Sequence, residues 1–245
     1  MKKQLFLSVF SLFIIQFASA QEFVESFTEF FEFKIHGKNN DTNHYTTKLV
    51  VAPIISYKPS TSLGFGAGSK LLFKPKNAGS ETRVSNIPIS IEYTLKNQFI
   101  FSSEYDIFFP KEKYLLKGSL KFSKFPVGYF GVGNETLDEN KINISFNQTL
   151  VEPLLLRNVR KYLFIGGGVR LLSTNNATIL KKENIDRDMQ SLKDSINVFS
   201  LGLEFATTLD SRDNILNATN GVFFEFTYGV YDKILGSDND YTLAK

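Results

Sequence analysis

Ionisable side chains recur at alternate positions through much of the chain, each opposite an apolar neighbour. Lys70, Glu92, Glu104, Asp106, Lys117, Lys121, Arg170, Glu204 and Glu225 make up the set. Gathered on one face of extended strands, they would do one of two things. They would line a water-filled path and select solutes by charge, or they would pair with one another and close it. Other chemistry has little to draw on. The chain has no cysteine and 2 histidines, so thiolate chemistry is excluded. His36 and His44 both stand near the N-terminus, with Asp41 as a neighbouring carboxylate. No strand-like stretch supplies a histidine base for a serine nucleophile, and no Gly-x-Ser-x-Gly elbow is present. The glycines at 64, 66 and 68, at 131 and 133, and from 166 to 168 do not complete a Gly-x-Gly-x-x-Gly phosphate loop. They suit strand curvature and close backbone approach. No catalytic, cofactor or metal residue is assigned.

A second polar cluster is Asp210-Ser211-Arg212-Asp213-Asn214, followed by Ala218-Thr219-Asn220-Gly221. Asp, Asn and Gly favour tight turns, and strands flank the cluster. Before it, Leu201, Leu203, Phe205, Thr207 and Leu209 oppose Gly202, Glu204, Ala206, Thr208 and Asp210. After it, Val222, Phe224, Phe226, Tyr228 and Val230 oppose Phe223, Glu225, Thr227, Gly229 and Tyr231. The period of two is the strand signal.

Other stretches repeat this pattern. Strands are expected over 49–57, 63–73, 85–95, 98–109, 114–125, 142–150 and 162–172, with another beginning at Tyr241. That makes about nine to ten strands, most near the ~9–11 residues that cross a bilayer. In the register this implies, Phe99, Phe101, Leu120, Phe122, Phe205, Phe224 and Phe226 face lipid. The connections alternate roughly between short and long, as in an outer-membrane barrel. Those at 96–97, 126–140, 173–194 and 233–239 are expected on the cell surface. The turns at Pro110, Asn158 and Asp210 are expected in the periplasm.

Composition agrees with this reading. The chain has 245 residues, 25 of them Phe, with no Trp, and Phe suits strands and lipid-facing surfaces. A net charge of +3 with scattered basic residues gives no basis for a nucleic-acid partner. Residues 1–20 read as a secretory signal: Lys2 and Lys3, an apolar core over 5–17, and an Ala18-Ser19-Ala20 cleavage site. Residues 21–48 form a periplasmic leader. Phe23, Phe27, Phe30 and Phe31 have helical spacing there, so either a short amphipathic helix or a loosely ordered segment fits. Residues 49–245 form the barrel domain.

The turn cluster resembles the bacterial surface-antigen superfamily of outer-membrane assembly and translocation barrels, the BamA/TamA group. In that family a strand enters an Asp-x-Arg-Asp-Asn turn, then Pro-Thr-x-Gly, then the next strand. Asp210, Arg212, Asp213, Asn214, Thr219 and Gly221 match, and Ala218 stands where the family usually has Pro. The run Gly236 to Tyr241, the segment from Pro53 to Pro59 and Tyr129-Phe130-Gly131-Val132-Gly133-Asn134 are similar in pattern. The resemblance implies an all-β fold: an antiparallel transmembrane β-barrel of the outer membrane, here partial and open. It implies a form without periplasmic repeat domains, C-terminally truncated before the family's Arg-Gly-Phe/Tyr lumen loop. The implied partners are outer-membrane lipids and unfolded or translocating client proteins. The implied task is protein insertion or translocation. A passive porin-like channel is the alternative, and a lipase-type enzyme a weaker one.

Overall fold

The computed structural model describes residues 32–35, 47–58, 62–129, 142–179, 194–214 and 217–245. They form one antiparallel sheet in sequence order, each strand paired with the next. The strands are β1 (Glu32–Ile35), β2 (Thr47–Lys58), β3 (Ser62–Phe73), β4 (Ser85–Thr94), β5 (Phe99–Phe108), β6 (Tyr114–Tyr129), β7 (Ile142–Arg160), β8 (Leu163–Ile179), β9 (Val198–Asp210), β10 (Phe223–Tyr231) and β11 (Tyr241–Ala244). Alternating β-branched and aromatic residues favour a pleated ladder in which each strand presents two distinct faces. Among the described residues β1 and β11 pair only inward, so the sheet is not closed into a barrel.

Three expectations need correction. Part of the leader is a strand: Glu32↔Val50 through Ile35↔Thr47 pair β1 with the start of β2. The Glu-Phe-Lys-Ile run alternates with period two, and the free edge of β2 offers it hydrogen bonds. Among the described residues the sheet therefore begins at β1, one strand earlier than the alternation implied. The helically spaced Phe23, Phe27, Phe30 and Phe31 lie outside the described residues. β7 continues well past the expected end at Leu150, through Glu152-Pro153 to Arg160. Asn158 thus lies in a strand, and the turn falls at Lys161 and Tyr162. Backbone pairing carries β7 across a stretch whose side-chain alternation is broken, with a register shift between Asn158 and Arg160. Likewise β6 runs to Tyr129 and β8 to Ile179, which shortens both expected loops.

The sheet curls until distant strands touch across its hollow. Lys117 on β6 pairs with Glu225 on β10, and Arg83, between β3 and β4, reaches Asp210 at the end of β9. These contacts define the concave face. Phe108, Leu115, Leu154, Leu156, Phe164 and Ala206 form a buried apolar cluster. The register places them on that face, toward the end where the β3–β4, β5–β6, β7–β8 and β9–β10 connections meet.

Candidate functional site on the concave face

Register brings Glu152 of β7, Arg170 of β8, Glu204 of β9 and Tyr231 of β10 to one area of the hollow. Gly168↔Glu204, Glu204↔Gly229, Arg170↔Gly202 and Gly202↔Tyr231 are cross-strand neighbours. Glycine opposite Arg170, Glu204 and Tyr231 leaves room for each. A Cβ on Gly202 would lie 2.4 Å from a Tyr231 ring carbon, so the tyrosine lies flat over that glycine. On its other side Tyr231 stacks on Tyr241, with centroids 4.3 Å apart and planes 5° from parallel.

The Tyr231 hydroxyl donates to Glu204 Oε1 at 2.8 Å. Lys245 Nζ sits 3.2 Å from the same oxygen and also pairs with Glu152. Arg170 Nε lies 3.4 Å from Glu152 Oε2. Two carboxylates therefore meet two cations. Glu204 is 4% exposed, and an isolated ion at that depth would be costly, whereas a matched set is tolerated. The cluster braces four neighbouring strands and the end of β11.

Beside it is a cavity of about 270 Å³ whose lining includes Glu104, Asp106, Lys117, Glu152 and Glu225. Lys121 and Glu104 pair at 2.9 Å at its exposed edge. A second, more apolar cleft of about 420 Å³ runs over β2 to β5, past Ala52, Gly68, Ser90 and Ser102, with Lys70 and Glu104 among its lining residues.

The turn cluster is a hydrogen-bonded knot, tied to the β3–β4 connection where Arg83 reaches Asp210. Asp210 Oδ1 accepts from Arg212 N at 3.2 Å and Nε at 2.8 Å, and Oδ2 accepts from Nη2 at 3.0 Å. These bonds push the Arg212 guanidinium further above its ordinary range. Asp213 Oδ1 accepts from Asn214 N at 2.9 Å and Thr219 N at 3.0 Å, and Oδ2 accepts from the Thr219 hydroxyl. Those donors, led by the Thr219 hydroxyl, hold the Asp213 carboxyl down at about 2. Asn214 Oδ1 accepts from Asn217 N at 3.3 Å. Gly221 has φ +112°, and a Cβ there would sit 2.5 Å from Ser211 O, so glycine fits both its backbone and its space. Asp210 ends β9 and the other five motif residues lie in the β9–β10 connection, outside the hollow's ion-pair cluster.

Of the nine alternating charges, the structure gathers most into pairs. Lys117 meets Glu225, Lys121 meets Glu104, Arg170 meets Glu152 and Glu204 meets Lys245. Glu92 accepts from the Ser56 hydroxyl at 2.6 Å. Asp106 and Lys70 line the two cavities. Sequence reading missed Glu152, Lys245, Arg83 and Glu112. Glu152 follows the expected end of its strand, and Lys245 follows β11, whose four residues carry little alternation. Arg83 and Glu112 sit in connections, where no alternation marks them. His36 and His44 lie outside the described residues. Among the described residues no group of three or more His, Asp or Glu is arranged to hold a metal ion. Compared with known proteins, the chain matches no family model, no curated protein and no solved structure.

Proposed function

We propose that the chain forms the membrane-embedded sheet of an outer-membrane β-barrel protein of the BamA/TamA type. It is exported by its N-terminal signal and acts in protein insertion or translocation at the outer membrane. The observation that carries the membrane reading is an inversion of polarity across the sheet. On the convex face Ile55 is 73% exposed, Leu203 58%, Leu155 52% and Phe205 51%. On the concave face Asp210 and Glu204 are nearly inaccessible. A soluble sheet hides its apolar face and wets its charges. Hydrocarbon solvates an exposed band of Leu, Ile and Phe, and the paired charges stay inside.

Strand length and the ends of the band agree. Strands β2 to β10 run from 9 to 19 residues, enough for the ~9–11 that cross a bilayer. Exposed Tyr57 and Tyr93 lie toward one end, and Phe109 and Tyr162 toward the other. Aromatic side chains of this kind suit the two membrane interfaces.

One feature supports polypeptide handling over passive conduction. An ion pair crosses the hollow from β6 to β10 beside an apolar cluster, which narrows the path that a porin leaves open.

The test begins with fractionation of cells expressing the full chain. The protein should sediment with the outer membrane and resist alkaline extraction. A photo-crosslinker at Ser119 on the concave face should then capture an unfolded barrel substrate added to proteoliposomes. Ion conductance without crosslinking would favour the channel, and recovery in the soluble periplasmic fraction would overturn the membrane reading.

A further inference from the structure

We propose that Phe108, Phe164, Glu112 and Asp210 form a guanidinium-binding site, filled in cis by Arg83, which pins the β3–β4 connection over one end of the concave face. Arg83 Nε and Nη2 lie 2.9 Å and 3.0 Å from the two oxygens of Glu112. This is the two-pronged geometry that a carboxylate offers a planar fork. The remaining nitrogen, Nη1, lies 3.1 Å from Asp210 Oδ2 and donates to the Asp210 backbone carbonyl at 3.2 Å. The guanidinium carbon stands 4.4 Å from the Phe108 centroid and 5.6 Å from that of Phe164. Every nitrogen of the cation meets an acceptor, and its carbon stands over two aromatic rings. A compact ammonium has no matching shape.

The site is built independently of its occupant. Phe108 and Phe164 belong to the buried apolar cluster and meet edge to face at 6.2 Å. Arg212 fixes the Asp210 carboxylate from the other side. Glu112 is set by the Pro110 turn, where Lys111 and Glu112 both hold positive φ. The two carboxylates face two guanidiniums, so removing Arg83 leaves the pocket one positive charge short. With Arg83 in place, the end of the connection and the first residue of β4 are docked on the β5–β6 turn. Arg83 N donates to Glu112 Oε1 at 3.0 Å, Lys111 N donates to the Thr82 hydroxyl at 3.0 Å, and Phe108 N donates to the Ser85 hydroxyl at 3.0 Å. Thr82 and Ser85 are fully buried as a result. The occupant and its site are far apart in sequence, so the pairing closes the curl of the sheet from β4 to β9.

Hydrogen exchange of the full chain in detergent micelles tests this, read in peptides covering 79–85 and 108–113. R83A should exchange roughly tenfold faster or more there, the scale set by losing charge-assisted hydrogen bonds. Millimolar methylguanidinium should restore protection to R83A, and methylammonium at the same concentration should not. If R83A fails to fold, R83K serves: it should exchange faster than the wild type and be slowed by methylguanidinium alone. Wild-type protection in both variants, or equal effects of the two cations, would overturn the proposal.

Discussion

Lys117 on β6 and Glu225 on β10 form an ion pair although β7, β8 and β9 lie between them around the sheet. Such a contact exists only if the sheet is strongly curled, so the pair reports curvature directly. Its side chains are 15% and 33% exposed, which limits what the pair is worth below that of a fully desolvated one. Lys117→Ala should destabilise the fold by about 1.5–3 kcal/mol, the range for a hydrogen bond to a charged partner. The charge-reversed double variant K117E/E225K should recover much of the loss. Urea unfolding in micelles measures both, and equal stability of single and double variants would remove the pair from the account.

Position along the strand should grade the cost of a charge on the convex face. Phe122 and Phe205 lie in the middle of β6 and β9, whereas Phe224 lies at the start of β10 beside a turn. Phe122→Arg and Phe205→Arg should each cost about 2–4 kcal/mol in a bilayer, and Phe224→Arg only ~0–1. Reversible unfolding from lipid vesicles would check the gradient. A flat response across the three sites would speak against a bilayer around this face.

Gly202 is predicted to resist any side chain. A Cβ would press on the Tyr231 ring at 2.4 Å, and that ring is locked between Gly202 and Tyr241. G202A should cost ~1–3 kcal/mol, as overpacking does. The double variant G202A/Y231A should lose less than the sum of its two single variants. Strict additivity in thermal or urea unfolding would show that the ring is free to move aside.

Acid should loosen the β9–β10 connection. The Asp213 carboxyl is held down at about 2 by its hydrogen bonds, against an ordinary value of about 3.9 in an unfolded chain. A depressed carboxylate contributes stability that is complete above the unfolded value and is lost as pH falls toward the folded one. The Thr219 and Asn214 amides should therefore lose protection between about pH 4 and pH 2. In D213N this step should vanish. An unchanged acid profile in D213N would place the transition on another group.

What the sequence disclosed follows from what alternation can report. β9, β10 and their turn stand close to where the periodicity puts them, because one face is apolar throughout and a one-residue slip would reverse it. The faces of Phe122 and Phe205 were legible for the same reason. β7 was cut short because Glu152-Pro153 interrupts the pattern, while the backbone of β6 continues to pair with it as far as Arg157. β1 was missed because helically spaced phenylalanines precede it and four residues carry little periodicity. The Arg83 site left no local trace. Arg83 and Asp210 lie 127 residues apart, and only the curl of the sheet makes them neighbours.

In the proposed barrel the convex face meets hydrocarbon and the concave face meets water and paired charges. The chain has no cysteine, so single nitroxide labels at Phe205→Cys and Ser119→Cys report the two faces cleanly. Collision rates with oxygen, which concentrates in lipid, and with a water-soluble nickel chelate should be measured by spin-label relaxation in vesicles. At position 205 oxygen should dominate, and at position 119 the nickel chelate should do better. Nickel-dominated relaxation at position 205, as on the wet surface of a soluble sheet, would contradict the account.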